Sequence, residues 1–118
     1  MDLVACLSTG KGTWGHVARL LADGRWNKIF LITNEFGREN FTTKGENTEL
    51  IVVDANKELE EMIADVKEKL KGKLKDTEVA VNLVSGSGKE HMAMLSALLQ
   101  LGVGLRFVAV TKDGVKEV

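Results

Sequence analysis

The 118 residues include one cysteine, one glutamine, no proline and no tyrosine. The single thiol, Cys6, excludes an intrachain disulfide and fits a reducing cytoplasm. Its place inside an apolar run predicts a packed core residue rather than a nucleophile. Neither sign of charge is in excess, with 16 basic residues against 17 acidic ones. A general binder of duplex nucleic acid needs a broad positive field, so that class is excluded. A small anionic ligand held at one local site is not. No apolar run approaches the roughly 20 residues that span a bilayer, so no membrane partner is expected. The start, Met-Asp-Leu-Val, lacks the basic region of a signal peptide. His16, His91 and Cys6 are too scattered to make a ligand set, so neither a metal nor another cofactor is expected.

What is present is ordinary for a folded domain: 44% hydrophobic and 28% charged residues. The length predicts one domain over residues 1–118, with no linker, internal repeat or low-complexity stretch. A chain this short buries only about two-thirds of its unfolded surface. Dimerisation is a natural source of further burial.

Short apolar runs alternate with helical patterns. Strands are predicted over 3–7, 28–33, 50–53, 78–84 and 105–110, with a returning edge strand at 115–118 after the turn Lys112-Asp113-Gly114. A helix is predicted over 14–22, ended by Gly24. Residues 34–48 read as a loop with a helical turn near 38–41. A longer helix, capped by Asp54 or Asn56 and running to Lys71, carries Leu59, Met62, Ile63, Val66 and Leu70 on one stripe. A last helix is predicted over 91–101. Strands alternating with helices imply an α/β, three-layer, Rossmann-like and mostly parallel sheet. Right-handed crossovers give the strand order 3-2-1-4-5, with a short antiparallel C-terminal edge strand.

In such a sheet the ligand crevice lies beyond the carboxyl ends of the strands, where the order reverses. That point falls between the first and fourth strands. The turns that follow them are Ser8-Thr9-Gly10-Lys11-Gly12-Thr13 and Ser85-Gly86-Ser87-Gly88-Lys89, the two segments richest in Gly, Ser, Thr and Lys. Glycines bring bare backbone N–H groups close to a ligand, hydroxyls donate to phosphate oxygens, and each turn feeds a helix N-terminus. The expected binding residues are therefore Ser8, Thr9, Gly10, Lys11, Gly12, Asn34, Ser85, Gly86, Ser87, Gly88, Lys89 and His91. His16 and His91 open helices beside the crevice. Glu35 ends the second strand there with Asn34. Trp14 and Trp26 read as packing residues, with base stacking by Trp14 as a lesser option. Asn82, polar inside a strand, needs a buried partner and is expected to tie the two glycine turns together.

Two general motifs bear on these turns. Gly10-x-Gly12-x-x-Gly15 matches the dinucleotide fingerprint and places Glu35 where a ribose-binding acid belongs, which would make a regulatory NAD-binding domain. Lys11 within the motif is unusual for it. A P-loop fails, because Gly88-Lys89 is followed by Glu90 and Gly10-Lys11 by Gly12.

The segment Asn82-Leu83-Val84-Ser85-Gly86-Ser87-Gly88-Lys89-Glu90-His91-Met92-Ala93 resembles the fourth-strand signature of the CARF family, the CRISPR-associated Rossmann-fold domains. That signature runs approximately Asn-hydrophobic-Thr-Gly-Gly-Thr-Lys-x-Met. Here Ser replaces Thr, one extra residue separates Asn82 from Lys89, and the central Gly-Gly-Thr reads Gly-Ser-Gly. Leu7-Ser8-Thr9-Gly10 is similar to the family's second ligand loop. The resemblance implies a homodimer whose two loops meet around a two-fold axis and bind a cyclic oligoadenylate. It also implies a possible effector partner. No effector fits within 118 residues, so a stand-alone or excised sensor domain is expected. Some members cleave the ring without metal, as ring nucleases, by positioning a ribose hydroxyl in line with the adjacent phosphate. Ser8, Lys11 and Lys89 are the candidates for that role.

Overall fold

The computed structural model describes residues 1–7, 10–42 and 45–118. Its elements run β1 (Asp2–Cys6), a single 3₁₀ turn (Lys11–Thr13), α1 (Trp14–Ala22), β2 (Ile29–Thr33), α2 (Glu35–Asn40), β3 (Thr48–Val52), α3 (Leu59–Leu70), β4 (Glu78–Asn82), α4 (Gly88–Gln100), β5 (Gly104–Thr111) and β6 (Gly114–Glu117). The sheet order is β3-β2-β1-β4-β5-β6. The first five strands pair in parallel, and β6 returns antiparallel on β5. This is the expected α/β, Rossmann-like architecture.

Alternation along β1 explains why its sequence is an unbroken apolar run. Val4 and Cys6 enter one core with Phe30, Ile32, Met62, Val66, Met94 and Leu98, beneath α3 and α4. Leu3, Ala5 and Leu7 enter the other with Val17, Leu20, Ile29 and Leu31, beneath α1. A strand covered on both faces has no polar side, so no period-two pattern survives. In register, Val4 lies between Phe30 of β2 and Val81 of β4.

Three helix starts differ from expectation, each for a local reason. The second helix is longer and earlier than a turn at 38–41, because Asn34 caps it by accepting from the Gly37 N–H at 3.0 Å. α3 starts only at Leu59, since Asp54 instead accepts from the Asn56 N–H at 2.9 Å and closes a turn of its own. α4 begins at Gly88, three residues before His91, on a serine N-cap. The Ser87 hydroxyl accepts from the Glu90 N–H and donates to the Glu90 carboxylate at 2.9 Å.

Thr33 ties the exits of β1 and β2. Its hydroxyl donates to the Leu7 carbonyl at 3.0 Å in the interior. Gly37 passes so close that a Cβ there would lie 1.9 Å from Thr33 Oγ1. Gly37→Ala forces Thr33 out of that rotamer and breaks a buried hydrogen bond, and is expected to cost about 2 kcal/mol in urea unfolding. Thr33→Val removes the hydrogen bond at the outset. A Gly37→Ala cost unchanged in that background would sink the account.

Candidate functional site

The strand order reverses between β1 and β4, so the crevice above their carboxyl ends is flanked by residues 10–13 and by the turn at 85–89. Ser8 and Thr9 lie outside the described residues. Gly10 is extended, with φ −81° and ψ 134°, and leads into the 3₁₀ turn at Lys11. Lys11 and Gly12 are exposed. The Lys11 ammonium sits 5.8 Å from the centre of the Trp14 ring. Trp14 packs edge-on against Phe41 at 5.4 Å and tilted against Phe36 at 5.9 Å.

The second turn is tightly built. Ser85 is buried, and its carbonyl accepts from His91 Nε2 at 2.7 Å. A carbonyl only accepts, so this nitrogen carries the proton. Gly86 takes φ +103°, with the position of a Cβ 2.9 Å from the Cys6 Cβ and 3.1 Å from His91 Nε2. The Ser87 hydroxyl, expected on a ligand, is engaged by the cap of α4. The Lys89 ammonium donates to the carbonyls of Ala55, at 3.2 Å, and Lys57. It clamps the loop after β3 to the start of α4 rather than standing over the crevice. Glu90 adds a negative charge to the same first turn. Asn34 is placed at the exit of β2 with its amide oxygen used as a cap.

The glycines divide into two kinds. Gly86 is required by its backbone angle and its neighbours. At Gly12, Gly15 and Gly88 a Cβ would meet no atom within 4 Å, and none has a positive φ. The fold does not require glycine at these three positions, and in a helix glycine costs about 1 kcal/mol against alanine. In the dinucleotide fingerprint the third glycine lets helix and strand pack closely. Gly15 is exposed, so it does not play that part here.

Among the described residues, Asn82 bonds to His16, Val84 and Val108 rather than joining one turn to the other. Its amide donates to the Val108 carbonyl at 2.9 Å and its oxygen accepts from the Val84 N–H at 3.3 Å, which fixes the amide's orientation. The same amide lies 3.2 Å from His16 Nε2, which also accepts from the Val110 N–H at 3.4 Å. Two donors converge on one ring nitrogen, so His16 is neutral and links α1 to β4 and β5. Burial first, then the charge of Arg19, hold it below the ordinary histidine value of 6.5. The unfolded chain therefore takes up this proton before the folded one does. Below about pH 6.5 stability falls until the folded imidazole protonates as well. Melting temperatures between pH 8 and pH 5.5 are expected to drop in the wild type and to drop less in His16→Gln. Equal slopes would exclude His16 as the source.

Cys6 is fully buried, 3.7 Å from the Met94 sulfur. Burial, then the charge of Glu90, push its thiol far above the ordinary range, so it is the inert core residue expected. No cluster of three or more metal-ligating side chains occurs among the described residues. No helix among them is long and apolar enough to cross a membrane. The crevice thus offers exposed backbone, the Lys11 ammonium resting on the Trp14 ring and the starts of α1 and α4, of which only α4 is capped by a side chain, chemistry suited to a phosphate-bearing ligand.

Sequence reasoning missed the roles of Asn82, His16 and Glu90. It also missed a cleft of about 580 Å³ beside the crevice, above β2 and β3, lined by Asn34, Phe36, Val53, Asp54 and Asn56. The Ser-x-x-Glu spacing of Ser87 and Glu90 was the legible signal for the earlier start of α4. The cleft has no sequence signal, since its walls come from two loops twenty residues apart. Compared with models of protein families and with curated proteins, the chain matches none.

Proposed function

We propose that the protein is a homodimeric nucleotide-sensing domain, similar to CARF domains, that binds a cyclic oligoadenylate or related nucleotide at the turns after β1 and β4. The observation that carries this reading is the set Gly12, Gly15 and Gly88. Three glycines that the fold does not need sit in the opening turns of the two segments that flank the switch point. Bare backbone there suits close approach of a phosphate. Lys11 is the cation assigned to it. Ser8, outside the described residues, and Lys89, once released from the carbonyls of Ala55 and Lys57, are the remaining candidates for binding, and the same three groups serve if the protein also opens the ring without metal.

A dimer is supported by the surface next to the second turn. Met92 is 60% exposed and Leu99, seven residues on and so on the same face of α4, is 62% exposed, with Val84 in the preceding turn 46% exposed. In the proposed dimer a two-fold partner seated on this face would bring a second copy of the turn at 85–89 to the same crevice.

The test is a melting experiment without added metal, using cyclic tetra-adenylate, cyclic hexa-adenylate and NAD, with the nucleotides recovered after long incubation. A ligand at about a hundred times its dissociation constant adds roughly 2.7 kcal/mol, several degrees in melting temperature for a domain this size. Stabilisation with an intact ring identifies a sensor, and stabilisation with linear products a ring nuclease. Stabilisation by NAD alone overturns the proposal. Lys11→Ala is expected to weaken binding more than Lys89→Ala, because the Lys89 ammonium already serves two carbonyls. The reverse ranking would relocate the phosphate.

A further inference from the structure

The cleft above β2 and β3 is open, large enough for a small molecule, and not lined by Lys11 or by the glycines assigned to phosphate. Its volume of about 580 Å³ falls within the roughly 300–1,000 Å³ usual for small-molecule sites. Its charges are the wrong kind for a second anion. Lys57 is held by Asp65 at 2.8 Å, Lys69 donates to the Val52 carbonyl, and Arg38 is paired with Glu35. What remains facing the opening is neutral or acidic. Val53 lies in its apolar lining and Phe36 is 40% exposed. Asp54 makes no salt bridge among the described residues, although Lys57 feels its charge, and one of its oxygens accepts from the Asn56 N–H. The side-chain amides of Asn34 and Asn56 line the opening as well.

That combination matches a flat, uncharged heterocycle bearing an amino group. An aromatic ring offers a stacking face, a carboxylate accepts from an exocyclic amine, and an amide pairs with the adjacent donor and acceptor of an adenine edge. The cleft is also connected to the phosphate turn. Lys11 stands over Trp14, and Trp14 touches Phe36, so one continuous run of side chains leads from the crevice into it. Strands lie about 4.8 Å apart, which puts the cleft about 10 Å from the crevice. A nucleotide spans that gap from phosphate to base.

We infer that this cleft is the base subsite of the nucleotide, taking an adenine stacked on Phe36 with its amino edge read by Asn56 and Asp54. This rests on the function proposed above, and goes beyond it by assigning base recognition to residues outside both glycine turns. Phe36 and Asn56 are exposed, and the one ring contact of Phe36 among the described residues is with Trp14, so their substitution is expected to leave the fold intact, which circular dichroism checks.

The experiment measures the affinity of the full chain for cyclic tetra-adenylate and for cyclic tetra-inosinate, in which the amino group is replaced by a carbonyl oxygen. The wild type is expected to prefer the adenylate at least tenfold. Phe36→Ala is expected to weaken adenylate binding by about tenfold to a hundredfold, the range for loss of one base–aromatic stack. Asn56→Ala is expected to erase the preference, and Lys11→Ala to weaken both rings equally. Tight adenylate binding that neither Phe36→Ala nor Asn56→Ala alters would overturn the base subsite and leave the sensor reading standing. If neither ring binds the wild type, the sensor reading fails, and adenosine titrated against the side-chain amide signals of Asn34 and Asn56 decides the cleft alone. Shifts there support it, and unchanged signals overturn it.

Discussion

Gly86→Ala is expected to destabilise the protein by about 3 kcal/mol, lowering the melting temperature by about 10 °C or more. Two terms add. The backbone at φ +103° disfavours any side chain, and a methyl group would press against Cys6 at 2.9 Å and His91 at 3.1 Å. Cys6 cannot retreat, because it is fully buried in β1 beneath Met94. His91 cannot retreat without giving up its bond to Ser85. Gly72 separates the terms. It takes φ +78° with open space around it. Gly72→Ala is expected to cost about 1 kcal/mol, the backbone term alone. Equal costs for the two substitutions, measured by urea unfolding, would mean that the turn yields freely and that its shape is not set by the core.

The second large effect is on binding rather than folding. Replacing Gly12, Gly15 and Gly88 together with alanine is expected to leave the melting temperature unchanged or raised. Gly15→Ala alone contributes about 0.5–1 kcal/mol through helix propensity. Affinity for cyclic tetra-adenylate is expected to fall at least about a hundredfold, since three methyl groups would stand between backbone and phosphate. The opposite signs of the two readouts are the signature. A stabilised protein that still binds as tightly would remove the main support for the site. A destabilised one would mean that these glycines serve the fold after all.

The strand order was legible because it follows from short crossovers of fixed hand, and the switch point follows from the order. Individual side chains were less so. Lys89 was legible as a lysine in a glycine-rich turn, but its direction depends on carbonyls at Ala55 and Lys57, more than thirty residues away. A long flexible side chain takes its direction from whichever acceptor the tertiary fold brings near. His16 gave the same difficulty in reverse. Position in the first turn of a helix suggests exposure, yet Asn82 and the Val110 N–H converge on its ring from β4 and β5. Asn82 did signal its need for a partner, because a polar residue inside a buried strand is costly unless satisfied. Which partner it found was set by packing across the sheet. Of the site residues expected from sequence, Lys11, Gly12 and Gly88 remain exposed at the crevice, while Ser87, Lys89, His91 and Asn34 also hold the turns in shape.

The β5–β6 hairpin governs how copies of the chain behave when crowded. An open sheet has two free edges, and free edges recruit further strands into fibres. Here one edge is β6, four residues long with Lys116 and Glu117 upon it. The other is β3, where Lys69 occupies the Val52 carbonyl and Lys73 pairs with Glu49 at 2.7 Å. Both margins are short or charged. Association by strand addition is thereby discouraged, and concentrated solutions of the protein are expected to resist fibrillation even where helix faces meet.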